Sequence, residues 1–567
     1  MALVAPAWAW GAQDDGALRS EAIVAAQHAM SSEAADALAK VSARFAEGAN
    51  RVDCRTPEAA DTALACLADA REGLVAQRAA LQQQMETLYA ATGSEGESRR
   101  ASTRAALADL DARLAALDAR IASRFPAYGE LTNPAPMTIA EVQALLQPNE
   151  ALVLVFVNPE ATYVWGVSAR QSAWARSSLG EAAMAEAVEA LRRGLTSAAA
   201  NRGSRADVVD FGSAASFDDA AAQRLYEELI RPIEAVVPKG ESTLITVVSG
   251  PLRSVPLSLL RTGPGENAWL IDRYALASLP AVSSLKALRC HLAARPVAGC
   301  GTGAAARVAA ARPTEASPKL VGFGAPALKG APLERRSAGG DPAEVFSGRL
   351  ADPAKLAQLA YLPGAERELR YLEEHVSGAL IRRGPQATET AVRVGDRAAL
   401  ERARYVVFST HGLLASSRAL TIDGGSSVGE PGLVLTPPAT ATEGDDGYLS
   451  ASEAAQLRLS AEFVVLSACN TAASDGRPGG EGLSGLARAF FYAGARSLLV
   501  SHWEVSDEAT TQLITAAFTG LDRQGASGRA AALRAAIRTV RARPGFSHPY
   551  YWAPFELVGE PAGDAGR

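Results

Sequence analysis

Two residues sit where chain geometry can turn a side chain into chemistry. Tyr405-Val406-Val407-Phe408-Ser409-Thr410 runs into His411-Gly412, and Phe463-Val464-Val465-Leu466-Ser467-Ala468 runs into Cys469-Asn470-Thr471. Each apolar run reads as a buried strand, and open α/β sheets present their ligands at the carboxyl ends of strands. If the two strands are neighbours, His411 and Cys469 project into one crevice. An imidazole beside a thiol draws off its proton and leaves the nucleophilic thiolate. The anionic oxygen that forms on acylation needs preorganised donors, and the backbone N–H groups of Gly412 and Cys469 are candidates for that oxyanion hole. Histidine then returns its proton to the leaving amine. Met singly, a cysteine after a strand is usually an inert buried thiol, and a histidine a satisfied polar group. The signal lies in the pair, 58 residues apart (469 − 411), each at a strand end.

The elements around the pair alternate. Short β-rich runs at residues 151–157 and 162–168 are joined by Asn158-Pro159-Glu160, a hairpin signal. Further strands are expected at 242–248, 319–323, 404–408, 462–466 and 496–500, with amphipathic helices between them. This pattern predicts an α/β fold with a mostly parallel sheet. A Gly/Ala/Pro-rich stretch at 298–317 divides it into an earlier half, 140–300, and a later half, 318–560. Before these, residues 20–130 read as an α-helical arm. Leu107, Leu110, Leu114, Leu117 and Ile121 alternate steps of three and four, and a turn at 92–96 folds the arm into a hairpin. Such an arm is either a site for a regulatory protein or simply core.

The remaining composition bounds the function. The 567 residues carry a net charge of −6 and 48% hydrophobic residues, so the chain suits a folded soluble protein of more than one domain. That charge makes nucleic acid a poor partner. No apolar run is long enough to span a bilayer. Residues 1–19 read either as a truncated signal segment, with Ala7-Trp8-Ala9 resembling a cleavage site, or as a frayed terminus. Five cysteines leave Cys469 single if Cys54 pairs with Cys66 and Cys290 with Cys300, as in an exported protein; four ordinary buried thiols fit equally well. A cytoplasmic and a periplasmic location therefore both stay open. No Cys/His spacing suits a metal, and no cofactor is expected. Gly480-Glu481-Gly482-Leu483-Ser484-Gly485 spells a dinucleotide fingerprint, but it lies more than ten residues past its strand. A mobile Gly-rich loop beside Cys469 is the better reading.

Thr410-His411-Gly412 and Leu466-Ser467-Ala468-Cys469-Asn470-Thr471 resemble the two signature blocks of CHAT domains, which are caspase-like. Asp446-Gly447-Tyr448-Leu449-Ser450, the Gly480–Phe490 segment, His502-Trp503-Glu504-Val505-Ser506-Asp507 and His548–Phe555 are similar to the family as well, as are Ser249–Pro256 and Leu279–Ser283. The likeness covers roughly residues 140–560. It implies a caspase-like three-layer α/β/α fold, with a degenerate earlier half packed on an active later half. It also implies a cysteine endopeptidase that cleaves a protein or peptide substrate with a Cys469/His411 dyad. Ser467 stands where relatives that prefer a basic residue before the cut carry an acid, which departs from an Arg/Lys preference. Ser467, Trp503, Asp507, Glu481 and Gly482 are the candidates for shaping the substrate pocket. For Asp507 a first-turn position in a helix capped by Ser506 competes with that role. The alternatives to a peptidase are a catalytically silent scaffold and a Cys-dependent acyl transferase.

Overall fold

The computed structural model describes residues 15–30, scattered helical positions between 67 and 81, 94–124, 136–200, 217–291, 299–300, 318–331, 335–336, 345–347, 350–413, 431–468 except 443, 485–524 except 504, and 528–562. Cys54, Cys66, Cys469, Glu481 and Gly482 lie outside the described residues.

Eleven strands form one sheet. In chain order they are β1 (Glu150–Val157), β2 (Thr162–Ser168), β3 (Ser172–Ser177), β4 (Ser242–Val248), β5 (Tyr274–Ser278), β6 (Leu320–Pro326), β7 (Ala379–Gly384), β8 (Tyr405–Ser409), β9 (Phe463–Ser467), β10 (Ser497–Ser501) and β11 (Phe555–Gly559). Their spatial order is β7-β6-β8-β9-β10-β11-β5-β4-β1-β2-β3. The later half thus supplies six consecutive strands and the earlier half five. The two meet in the parallel β11/β5 pair. Pairing is parallel except for β10/β11 and the meander β1-β2-β3. The β1/β2 hairpin forms as expected, closed by the Asn158 side chain, whose Oδ1 accepts the Glu160 and Ala161 N–H groups at 3.0 and 2.9 Å.

Burial explains why the central strands read as unbroken apolar runs. Val407, Val465 and Leu499 pack to one face, with the helices Pro363–His375, Asp507–Gln524 and Gly528–Arg541. Val406, Phe408, Val464, Leu466 and Leu498 pack to the other, with the helix Gly485–Ala493. Side chains alternate across a strand, and helices cover both faces, so every position is buried. The result is the three-layer α/β/α arrangement. Phe408 is sandwiched between Phe323 (ring centroids 5.7 Å) and Phe490 (5.2 Å), which locks the strand that ends at His411.

Two features differ from the expected organisation. The helix Asp15–Ala29 crosses the expected boundary at residue 19 and packs on the α/β body. Ile23 and Ala26 are buried there, and the Gln27 amide pairs both ways with the Met137 backbone at 2.8 and 2.9 Å. In the arm, the helix Ser94–Arg124 already includes the last three residues of the expected turn. Leu110 and Leu117 are buried, and Asp111 pairs with Arg78 at 2.6 Å, so the arm's two segments lie side by side. Cys290 and Cys300 form a disulfide with a Cα–Cα distance of 5.4 Å.

Candidate active site

His411 follows β8 by two residues, and β8 lies parallel to β9 with Ser409 opposite Ser467. The register offset, 467 − 409, equals the 58-residue separation of His411 and Cys469. The two residues are therefore equal numbers of steps past adjacent strand ends. Ala468, the last described residue on the Cys469 side, is buried, and its carbonyl accepts the Ser501 hydroxyl at 2.7 Å.

The backbone around His411 is pinned from both sides. Thr410 N–H donates to Ser467 O at 3.3 Å, and its hydroxyl donates to Val434 O at 2.6 Å. A small antiparallel sheet of Gly412–Leu413, Gly432–Val434 and Tyr448–Ser450 continues from the histidine. Val434 N–H donates to His411 O at 3.0 Å while Gly412 faces Leu433. That pattern makes Gly412/Leu433 a non-hydrogen-bonded pair, so the Gly412 N–H turns away from the neighbouring strand.

The His411 ring is buried, and its Nε2 lies 2.7 Å from Ala360 O. A carbonyl can only accept, so Nε2 carries the proton and Nδ1 is the basic nitrogen of the neutral ring. A backbone carbonyl thus fixes the tautomer and orientation of the ring. Sequence reading could not find Ala360, because any residue supplies a carbonyl.

The helix Pro363–His375 begins three residues after Ala360 without a side-chain cap of its own. Its missing cap comes from Asp507, whose carboxylate accepts the Gly364 N–H. Glycine is required here, because a Cβ at 364 would meet the Asp507 carboxylate. Asp507 is buried, opens the helix Asp507–Gln524, and follows Ser506, whose hydroxyl accepts the Ala509 N–H at 3.4 Å. Of its two expected roles, the first-turn position is the one observed, and the carboxylate also caps the neighbouring helix. Ser467 is fully buried in β9 and donates to Glu368 Oε2 at 3.0 Å. The carboxylate that the sequence lacks beside Cys469 is thus brought to Ser467 by Glu368, from a helix about 100 residues earlier. Trp503 is partly buried against the core and donates its indole N–H to Tyr550 O at 3.1 Å. Ser249, at the end of β4, accepts the Val157 N–H at 2.8 Å and is structural. Among the described residues, no cluster of three or more His, Cys, Asp or Glu is arranged to hold a metal. None of the described helices is long and apolar enough to cross a membrane.

The CHAT domain profile matches residues 219–560, well over half of the chain. Tetratricopeptide repeat protein 28 of Mus musculus is 29% identical over 365 residues, and its Homo sapiens counterpart 28% over 371. These regions cover 59% and 61% of this chain but only 13% of each relative's length. Among solved structures, the chain resembles the Saccharomyces cerevisiae separase–securin complex (TM-score 0.41, 10% identity, 96% of this chain and 40% of that chain). It also resembles the Arg-specific cysteine proteinase gingipain R (TM-score 0.33, 9% identity, 61% of this chain and 67% of that chain).

Proposed function

The chain belongs to the CHAT family, and from that premise we propose that it is a cysteine endopeptidase with Cys469 as nucleophile and His411 as general base. The observation that carries this reading is the His411–Ala360 hydrogen bond, which leaves Nδ1 as the basic nitrogen of a buried ring at the strand end beside that of Cys469.

In the proposed cycle, His411 Nδ1 takes the thiol proton, and the Cys469 sulfur attacks the substrate carbonyl. The C–S bond forms as the carbonyl π pair moves to oxygen, where the N–H groups of Gly412 and Cys469 receive the charge. Collapse breaks the C–N bond, and the imidazolium proton goes to the departing amine. Water, deprotonated by the same imidazole, attacks the thioester and releases the acid and the free thiol. Ala360 O steadies the imidazolium through the Nε2–H in both halves of the cycle. Glu481 and Gly482 are proposed to border the substrate, and Trp503 to wall the cleft with its exposed edge.

The test is thiol-dependent cleavage of a peptide library by the purified protein. Cys469→Ala and His411→Ala are each expected to abolish it with the fold intact. Unchanged cleavage by Cys469→Ala would refute the assignment. A second reading, a catalytically silent scaffold that binds a regulatory protein through the helical arm, draws support from the relatives, whose names denote a repeat protein and no enzyme. It predicts that Cys469 reacts with peptide electrophiles no faster than an ordinary thiol. A Cys-dependent acyl transferase would instead pass the acyl group to an added amine in preference to water.

A further inference from the structure

Ser501 is the last residue of β10, and its hydroxyl reaches across to the chain that leads into Cys469. The β9/β10 ladder runs through Val464/Leu498 and Val465/Leu499. Just past β10, His502 N–H is spent on the other neighbour, donating to Pro554 O at 2.9 Å. At this point a side chain takes over the hold on β9: the Ser501 hydroxyl donates to Ala468 O at 2.7 Å. Both residues are fully buried. The carbonyl before it is held from the opposite flank, where Thr410 N–H donates to Ser467 O at 3.3 Å. β8 and β10 are the two neighbours of β9, so each fixes one of the last two carbonyls before Cys469.

The second of these carbonyls matters for what shares its peptide unit. A peptide is planar and trans, so its N–H points opposite to its C=O. Whatever fixes the direction of the Ala468 carbonyl therefore fixes the direction of the N–H that follows, and that N–H belongs to Cys469. Polarisation acts in the same sense, because a hydrogen bond to the carbonyl strengthens the N–H of the same unit as a donor. A donor to a developing oxyanion works by being aimed before the charge appears. A ladder amide could hold the carbonyl whatever the sequence, whereas a hydroxyl depends on the residue type at 501. Alanine would pack there almost as well but would leave Ala468 O without this donor.

Resting on the peptidase reading, we propose that Ser501 is a positioning residue for that reaction. Its hydroxyl aims and polarises the Ala468–Cys469 peptide so that the Cys469 N–H receives the oxyanion formed on acylation. Two properties of one cysteine are thereby divided between two neighbouring strands. His411, after β8, makes the thiolate; Ser501, on β10, readies the donor that the attacked carbonyl needs.

The experiment reads the two properties with two probes on the full chain. Iodoacetamide is displaced by the thiolate at a saturated carbon, builds no oxyanion, and so reports the sulfur alone. A peptidyl aldehyde takes the thiol across its carbonyl: sulfur bonds to carbon, and the oxygen of the thiohemiacetal occupies the oxyanion position. The aldehyde carries the best-cleaved sequence of the peptide library, and the matching peptide is the substrate. Losing an oxyanion donor outright costs about 10²–10³ in kcat. Ser501→Ala misaims one, and is expected to lower kcat about ten- to a hundredfold and to weaken aldehyde binding by a similar factor. KM and the iodoacetamide rate should stay within about twofold of the parent. Ser501→Thr, which keeps the hydroxyl, should restore most of both losses. The proposal is overturned if Ser501→Ala keeps kcat and aldehyde affinity within about threefold of the parent. It is equally overturned if the iodoacetamide rate falls as far as kcat, because the site as a whole has then been lost. If Ser501→Ala does not fold, Ser501→Thr and Ser501→Val, alike in shape and different in the hydroxyl, decide by the same criteria. A parent protein that cleaves no library peptide refutes the peptidase reading itself. An active parent whose Ser501→Ala is equally active refutes the role of Ser501 alone.

Discussion

Replacing Arg289 by methionine should loosen the joint between the two halves of the sheet. The guanidinium is buried and makes five hydrogen bonds: to Glu150 at 2.7 and 2.8 Å, to Glu560 at 2.9 and 3.1 Å, and to Leu145 O at 2.6 Å. Glu150 opens β1 in the earlier half, and Glu560 directly follows β11 in the later half, so one cation ties the halves together. Burial pushes the Glu560 carboxyl up, but the charge and hydrogen bonds of Arg289, together with the charges of Arg529 and Arg496, outweigh it and hold the group below the usual carboxylate range. Removing one partner of a buried ion pair typically costs about 3–5 kcal/mol, because the remaining charge has no water to return to. In the parent, the lowered Glu560 contributes stability that is present above its unfolded pKa and lost as pH falls. In Arg289→Met the Glu560 carboxyl loses its largest stabilising partner, and its pKa rises toward the unfolded value with Arg529 and Arg496 still beside it. The deficit against the parent is therefore greatest near pH 8 and shrinks toward pH 5. Urea unfolding at both pH values measures this, with amide exchange of Tyr274–Ser278 and Phe555–Gly559 locating it at the joint. The variant Arg289→Met/Glu150→Leu/Glu560→Leu should regain most of the loss, because an apolar replacement of the whole triad strands no charge. A loss below about 1 kcal/mol, or one that does not change with pH, would refute the reasoning.

Gly364→Ala forces a Cβ against the Asp507 carboxylate. Overpacking of this kind costs about 1–3 kcal/mol, and because Ala360 lies four residues earlier, peptidase activity should fall with it; thermal unfolding and kcat/KM on one peptide check both. Burial pushes His548 down to about 4. The unfolded chain therefore binds a proton that the folded chain refuses between about pH 6.5 and 4, and stability falls as pH drops through that window, by about 2–3 kcal/mol at most. His548→Asn retains a cap for the Tyr550 N–H (3.2 Å) and should remove that part of the pH dependence, as read from thermal midpoints across the window.

The parts of this fold visible in the sequence are those whose side chains report their own surroundings. Ser242–Val248 and Thr162–Ser168 are strands with the expected bounds, and β8, β9 and β10 each begin and end one residue later than expected. Their apolar runs are the signature of burial on two faces. Ser172–Ser177, Tyr274–Ser278, Ala379–Gly384 and Phe555–Gly559 were not legible as strands. Two of these are edge strands, exposed enough to carry Arg176, Arg382 and Arg383. At the site, His411 stands at a strand end as its sequence context predicts. Its orienting partner was hidden in a backbone carbonyl. The Asp507 cap and the Glu368–Ser467 contact were hidden because helices distant in the chain deliver them. The register of β8 on β9 is what turns a 58-residue spacing from a coincidence into geometry.

The central claim is that His411 activates Cys469, and the rate at which a peptidyl chloromethyl ketone alkylates Cys469 tests it most directly. Located by mass spectrometry, the reaction should single out Cys469 in the parent protein. It should slow by at least about a hundredfold in His411→Ala, the lower end of what a positioned base contributes. Equal rates in the two proteins would mean that the imidazole does not serve this sulfur.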